Sequence, residues 1–417
     1  MQPTSQARAG ARPALALLLA INLFCYLDRY ILASIIPVIQ RKFLPGDPNA
    51  NGKAGLLGFA FLCSYMLTAP LFGWMADRRA RWPIIGISVA LWSLASGATG
   101  LAASFMAILI TRVFLGIGEA GYGPAAPTII SDLYPIERRG QVLAWFFMAI
   151  PVGSALGYAF GGWINKVLDW RWAFFLVTPP GLLLAALCFL MPEPRRLPGY
   201  SHSEKPAARW SEYKGLIRIP SLVANILAQT AMTFAIGGLS FFAPKYISDG
   251  RGQPLAQTDL LFGLVLVVAG FVSTLLGGWL GDSLRPRFPG SYFLVSGCGM
   301  LLGFPCTIAM LYTPFPAAWG FVFLAIFFLF MNTGPSNTAL ANVTPSPMRA
   351  TAFAMNILII HLFGDAISPP LIGWIKDHGT WNAAFFTVSL SMLVAGIIWL
   401  SSSRMLVRDT EAAEGII

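Results

Sequence analysis

Two charges stand inside one apolar run. In "RVFLGIGEAGYGPAAPTIISDLYPIERRG", Arg112 to Gly140, Arg112 and Glu119 are flanked by residues suited to a lipid interior. A charge in hydrocarbon costs about 2.5–3.5 kcal/mol on insertion scales, so such residues mark pairing or ion movement. Positions seven apart share one helical face, about 10 Å apart along the axis. That is too far for direct contact within the helix, but both can face one cavity. Another apolar run holds Asp28 and Arg29 near its middle. Two carboxylates and two guanidiniums meeting at mid-depth would lower one another's desolvation cost. Their chemistry is proton exchange. Low dielectric favours a protonated carboxyl, a neighbouring Arg favours the ionised form, and moving the Arg or admitting water switches the balance. Asp28 and Glu119 are therefore expected as proton acceptors. Arg29 and Arg112 are expected to hold them or to release them for an anionic group, whose oxygens the guanidinium fork can bond in pairs. The alternative is a permanent ion-pair cluster that only fixes helix register.

His361 and Asp365 lie one turn apart near the middle of a later apolar run, a spacing at which the two can share a proton. A His bonded to a neighbouring helix is the alternative. Tyr122, Gln229, Asn332 and Ser336 are candidates for substrate contact, with interhelical bonding the competing role. No third ligand accompanies His361 and Asp365, and His202 and His378 fall in loops, so no metal or cofactor is expected. Neither is an enzyme: a hydrolase needs a nucleophile beside its base, and no Ser or Cys stands in that relation to His361.

These residues must be positioned by membrane helices. The chain has 417 residues, 56% hydrophobic and 11% charged, against about 25% charged in soluble domains. An all-α membrane protein follows. Twelve apolar runs lie between residues 14 and 403, each of about 20 residues or more, enough to span a core of about 30 Å. The five cysteines, Cys25, Cys63, Cys188, Cys298 and Cys306, all sit in apolar runs and read as small hydrophobes. The N-terminal "MQPTSQARAGARP" has a leader's polarity, but the apolar run that follows is long and lacks a cleavage site, so a retained first helix is expected.

The net charge of +10 raises nucleic acid as a partner, but the basic residues occupy short loops between runs, and nucleic-acid binding is not expected. Eighteen of the 28 Lys and Arg residues fall on the side of the N-terminus and eight on the other, leaving only Arg29 and Arg112 within spans. That excess places both termini in the cytoplasm.

The stretch "PEPRRLPGYSHSEKPAARWSEYKGLIRIP" is linker-like and divides the chain in two. The expected organisation is an N-terminal tail 1–13, a six-span unit 14–191, a cytoplasmic linker 192–218, a second six-span unit 219–404 and a tail 405–417. The units repeat. "GWINKVLDWRWAFF" begins at Gly162 and "GWIKDHGTWNAAFF" at Gly373, and seven residues coincide without a gap. "LFGWMADRRAR" likewise resembles "LGGWLGDSLRPR", matching Asp77 with Asp282. A duplicated six-span unit argues for a transporter with a central site between the halves. Glycines at 153, 157, 161 and 162 allow close helix approach.

"GWMADRRAR", Gly73 to Arg81, resembles the loop motif of the major facilitator superfamily, and the twelve runs in two halves extend the likeness over the whole chain. The resemblance implies two six-helix bundles rocking about a midplane cavity, lined in the N-terminal bundle by the first and fourth spans. It also implies gate charges at Asp77, Arg78, Arg81, Asp132 and Arg139, with Asp282 as the counterpart in the second half. There Ser283 stands where Arg78 would be, so the second gate is expected to differ. "NLFCYLDRYILASIIPVIQRKF", "GIGEAGYGPAAPTIISDLYP" and "AIPVGSALGY" are similar to Spinster-type lysolipid and sphingosine-phosphate transporters, with Gly121 where that family has serine. What this implies is a proton-coupled secondary transporter of a lysophospholipid or similar amphiphile. A monomer is expected, and the short termini and lack of large loops fit a bacterial inner membrane. A proton-coupled symporter of a small organic anion such as a sugar acid is the alternative. The second-half spans carry no Lys or Arg near mid-depth, which favours the amphiphile.

Overall fold

In a lipid interior every backbone polar group must be bonded within its own segment, so each apolar run closes on itself as a helix. The computed structural model describes residues 10–134, 136–193, 215–344 and 349–413, and all regular elements among them are helical. The side chains of Asp77 and Arg139, and linker residues 194–214, lie outside the described residues.

The first half comprises α1 (Ala11–Phe43), α2 (Ala50–Arg78), α3 (Arg81–Leu101), α4 (Phe105–Tyr122), α5 (Ala125–Leu133), α6 (Ile136–Val167) and α7 (Arg171–Cys188). The second comprises α8 (Pro220–Lys245), α9 (Leu255–Leu284), α10 (Ser291–Tyr312), α11 (Ala318–Phe330), α12 (Thr333–Val343), α13 (Arg349–Ile360), α14 (Ser368–Asp377), α15 (Trp381–Ser401) and α16 (Ser403–Ala413). Among the described residues, eleven stretches are long and apolar enough to cross a membrane. Helix α6, 32 residues long and so about 48 Å, is the remaining one of the twelve runs.

Three runs are interrupted. α4 and α5 form one span broken at Gly123–Pro124, and α11 and α12 form one span broken just before Gly334–Pro335. Proline has no N–H, so the carbonyl four residues earlier loses its partner. The two Gly–Pro pairs stand at the same interval as the Gly162 and Gly373 repeats. The third interruption is a π-turn, His361–Asp365, between α13 and α14.

The sequence repeat is also a packing repeat. Trp170 meets Phe174 edge-on at 6.1 Å, and Trp381 meets Phe385 edge-on at the same distance. Each tryptophan starts a span and carries a lysine near its face, Lys42 at 6.0 Å and Lys376 at 5.8 Å.

The helices divide into two compact units. One holds the described residues up to Glu193 together with Pro244–Gly263, and the other holds the rest. The start of α9 thus packs within the first unit, whereas the sequence places all of 219–404 in the second. In the first unit α6 lies on α1, with Gly153 and Gly157 opposite the carbonyls of Leu23 and Leu27; a Cβ there would stand 2.7 and 2.4 Å from those oxygens. The stretch beyond residue 404 is not a plain tail: α16 buries Leu406 and sets Asp409 Oδ2 to accept the Ser221 N–H at the start of α8, 2.9 Å away.

Candidate functional site

The charged residues of the first unit assemble around α1. Asp28 and Arg29 sit at the centre of this 33-residue helix and point to different neighbours. Arg29 reaches α4 and forms an ion pair with Glu119. Its guanidinium lies 4.7 Å from the Phe61 ring centre and 4.8 Å from that of Tyr26. Glu119 is 1% exposed, whereas the Arg29 side chain is 25% exposed, so Arg29 is the accessible member of the pair. Glu119 Oε1 and Arg29 Nε have no hydrogen-bond partner among the described residues.

Small residues put Glu119 there. A Cβ on Gly116 would stand 2.1 Å from Ser64 Oγ of α2, and one on Gly118 2.7 Å from the Trp92 nitrogen of α3. At Gly121, where the Spinster pattern has serine, a Cβ would stand 2.0 Å from Ser88 Oγ, so a hydroxyl from α3 occupies the space. Glu119 lies one turn before the Gly123–Pro124 break, and Asn332 and Ser336 border the corresponding break in the other unit.

The other two charges face α3. Asp28 Oδ1 accepts a hydrogen bond from the Ser96 hydroxyl, and Oδ2 has no partner among the described residues. Arg112 Nη2 donates to Thr99 Oγ1 at 2.8 Å, and the guanidinium carbon lies 5.6 Å from the Phe174 ring centre. Sequence spacing joins Arg112 with Glu119 on one face, and the structure gives each a different partner. Ser96 and Thr99, one turn apart on α3, were missed because a hydroxyl in an apolar helix has no spacing signal of its own. The Tyr122 hydroxyl, a candidate for substrate contact, donates to the Leu18 carbonyl at 2.7 Å and is buried.

In the second unit His361 Nδ1 lies 3.0 Å from Asp365 Oδ2, and both side chains are partly exposed. The π-turn that carries them is held by Thr233, whose hydroxyl donates to the Ile360 carbonyl at 3.0 Å. Such bulges recur at functional positions. Gln229 Oε1 accepts from Asn356 at 3.1 Å, and its amide nitrogen has no partner among the described residues. Asn332 donates to the Leu329 carbonyl at 2.6 Å, and its side-chain oxygen has no partner among the described residues. Ser336 is buried, and its carbonyl accepts from Asn225 at 2.9 Å.

The loop-motif charges form a second cluster. Arg81, fully buried at the start of α3, pairs with Asp132 at 2.6 Å and with Glu193 at 2.8 Å, and donates to Thr128 at 3.1 Å. Glu193 also accepts the Arg81 backbone N–H at 2.6 Å, placing its charge at the positive end of α3. Glu193, expected in the linker, is buried against Arg81. The only hint was an acid directly after an apolar run, in a loop otherwise rich in arginine. Arg78 is exposed and lies over the Trp74 ring at 4.6 Å. Asp282 accepts from the Tyr292 hydroxyl at 2.9 Å. The side chains of Asp77 and Arg139 lie outside the described residues.

The comparisons place the chain in a family. The family model of the Major Facilitator Superfamily matches residues 18–364. Protein spinster homolog 3 of Danio rerio is 34% identical over 449 residues, covering 99% of this chain and 89% of that protein. A crystal structure of a bacterial homologue to the human lysosomal transporter Spinster, inward-facing and occupied, superposes with a TM-score of 0.83 at 23% identity, covering 97% of this chain and 99% of that one. A D-xylose–proton symporter superposes with a TM-score of 0.74 at 18% identity, covering 95% and 97%; at these identities the likeness is one of fold. The chain is an integral, multi-pass membrane protein of the major facilitator superfamily, and within it belongs with the Spinster proteins.

Proposed function

We propose that the chain is a proton-coupled secondary transporter that moves a lysophospholipid or similar amphiphilic anion or zwitterion by alternating access. One observation carries the reading: the buried Glu119 is ion-paired with Arg29, and Arg29 is the exposed member of the pair. A phosphate that takes the guanidinium leaves Glu119 without its cation in low dielectric, where the neutral acid is favoured. Proton binding at Glu119 and anion binding at Arg29 then reinforce each other, as linkage requires. Asp28 and Arg112, held by hydroxyls of α3, supply a second proton site and a second anion contact. His361 and Asp365 are the proton-sharing pair of the other unit, and Arg81, Asp132 and Glu193 are gate charges. The protein is placed in a bacterial inner membrane with both termini in the cytoplasm, as a monomer.

The lack of Lys or Arg near mid-depth in the second-half spans supports an amphiphile, which needs one polar end and a long apolar wall. The fold shared with a D-xylose–proton symporter favours a second reading, symport of a small organic anion such as a sugar acid. Purified protein in liposomes with an imposed pH gradient separates the two. Labelled lysophospholipid is expected to accumulate above protein-free liposomes, and labelled glucuronate is not. Glucuronate uptake without lysophospholipid uptake overturns the amphiphile assignment.

A further inference from the structure

Asp259 takes no part in either charge cluster. It stands in the second turn of α9, fully buried, and neither carboxylate oxygen has a hydrogen-bond partner among the described residues. The first unit encloses it. A Cβ on Gly162 of α6 would stand 2.5 Å from Asp259 Oδ2, and one on Gly263, a turn further along α9, 2.9 Å from the Ala155 carbonyl. The two helices therefore touch at backbone distance at Gly263, and the carboxylate itself lies against Gly162. The Tyr158 ring, one turn before Gly162, meets Phe262 edge-on at 5.2 Å and Tyr30 of α1 at 5.1 Å. Among the described residues, the titratable groups facing this place are Tyr158 and, beyond it, Tyr30. Lys166 of α6 is exposed, lines the adjoining apolar groove with Trp163, Gln257 and Leu260, and makes no hydrogen bond to Asp259 among the described residues.

An ionised carboxylate so placed would have neither counter-ion nor donor, a cost far above that of an unbonded neutral acid. Both oxygens are sealed from the surface, and a proton adds no bulk to the contact. We infer that Asp259 is a further proton-binding site of the transporter, holding its proton while the start of α9 is packed on α6. When that contact opens to water, the acid gives its proton to water and the carboxylate is hydrated. Closure requires the proton to return. Gly162 belongs to the repeated "GWI" segment, and its lack of a side chain is what lets the carboxylate be enclosed.

The inference rests on the proton-coupled reading, and two measurements on the full-length protein keep them apart. The first is infrared absorption of purified protein at neutral pH. The difference between wild type and Asp259→Asn is expected to contain one C=O band of a protonated carboxylic acid, and a difference spectrum without that band overturns the assignment. The second is lysophospholipid uptake in liposomes. Asp259→Asn is expected to retain exchange of labelled for unlabelled lipid and to lose its response to an imposed pH gradient. If the wild type responds and the variant responds equally, the Asp259 site fails while the proton-coupled reading stands. If the wild type does not respond, that reading fails and the infrared difference still decides the site. Asp259→Ala, with no polar group to enclose, replaces the asparagine variant if the latter does not fold.

Discussion

Glu119→Gln is expected to abolish the stimulation of uptake by a pH gradient while leaving lysophospholipid exchange measurable. Glutamine keeps the shape of the side chain and can still accept from Arg29, so the α1–α4 contact survives. It cannot ionise, and the gradient loses its handle on the pair. Removing one partner of a fully buried ion pair costs about 3–5 kcal/mol, because the other charge is left alone. The Arg29 side chain is only partly buried, so the loss here is expected nearer about 1–3 kcal/mol. The variant should therefore be purified folded, with a lowered melting temperature. Parallel uptake assays with and without a gradient, at equal protein density, read the effect directly. An unaltered gradient response in Glu119→Gln would remove this residue from the coupling mechanism.

Arg81→Ala is expected to have the largest effect on stability. Its guanidinium is fully buried and serves Glu193, Asp132 and Thr128 at once. Alanine strands the buried Glu193 carboxylate, whose remaining donor is the backbone N–H of residue 81. The expected loss is about 3–5 kcal/mol, the range for an orphaned buried charge. Asp132→Asn is expected to cost much less, since that side chain is 22% exposed and the Arg81–Glu193 pair persists without it. Glu193→Gln is expected to fall between, because the amide still accepts from the α3 N-terminus. Thermal unfolding of the purified variants in one detergent gives the order. A melting temperature for Arg81→Ala equal to wild type would show that the cluster contributes nothing to holding α3, α5 and the end of the first half together.

The spans were legible because twenty apolar residues in a row admit one structure in lipid. The repeat was legible from Trp170 and Trp381, which are too large and too rare to coincide by chance and which turn out to hold equivalent ring contacts. Partnering was not legible. Arg112 and Glu119 share a face, as their spacing requires, yet they are about 10 Å apart along the helix. That distance is enough for one to meet α3 and the other α1. Periodicity gives the direction in which a residue points but not the neighbour it meets. Glu193 was hidden by its setting in a Pro- and Arg-rich stretch, because its partner stands more than a hundred residues earlier. Asp259 was hidden for a different reason. Near the start of an apolar run it reads as the polar edge of a span, and only the packing of α9 on α6 makes it a buried acid. The Gly–Pro pairs were visible as letters in both halves, beside Glu119 on one side and Asn332 and Ser336 on the other, but that the helices are interrupted there emerges only from the fold.

The most direct test of proton-coupled transport needs no imposed gradient. Protein is reconstituted in liposomes that contain a pH-sensitive dye, with equal pH on both sides and the membrane potential clamped by potassium and valinomycin. Lysophospholipid is then added outside. Coupling is expected to move protons with the lipid, so the internal pH changes at once in liposomes with wild-type protein and stays level with Glu119→Gln or without protein. Lipid uptake by the wild type with no change in internal pH would contradict proton coupling outright.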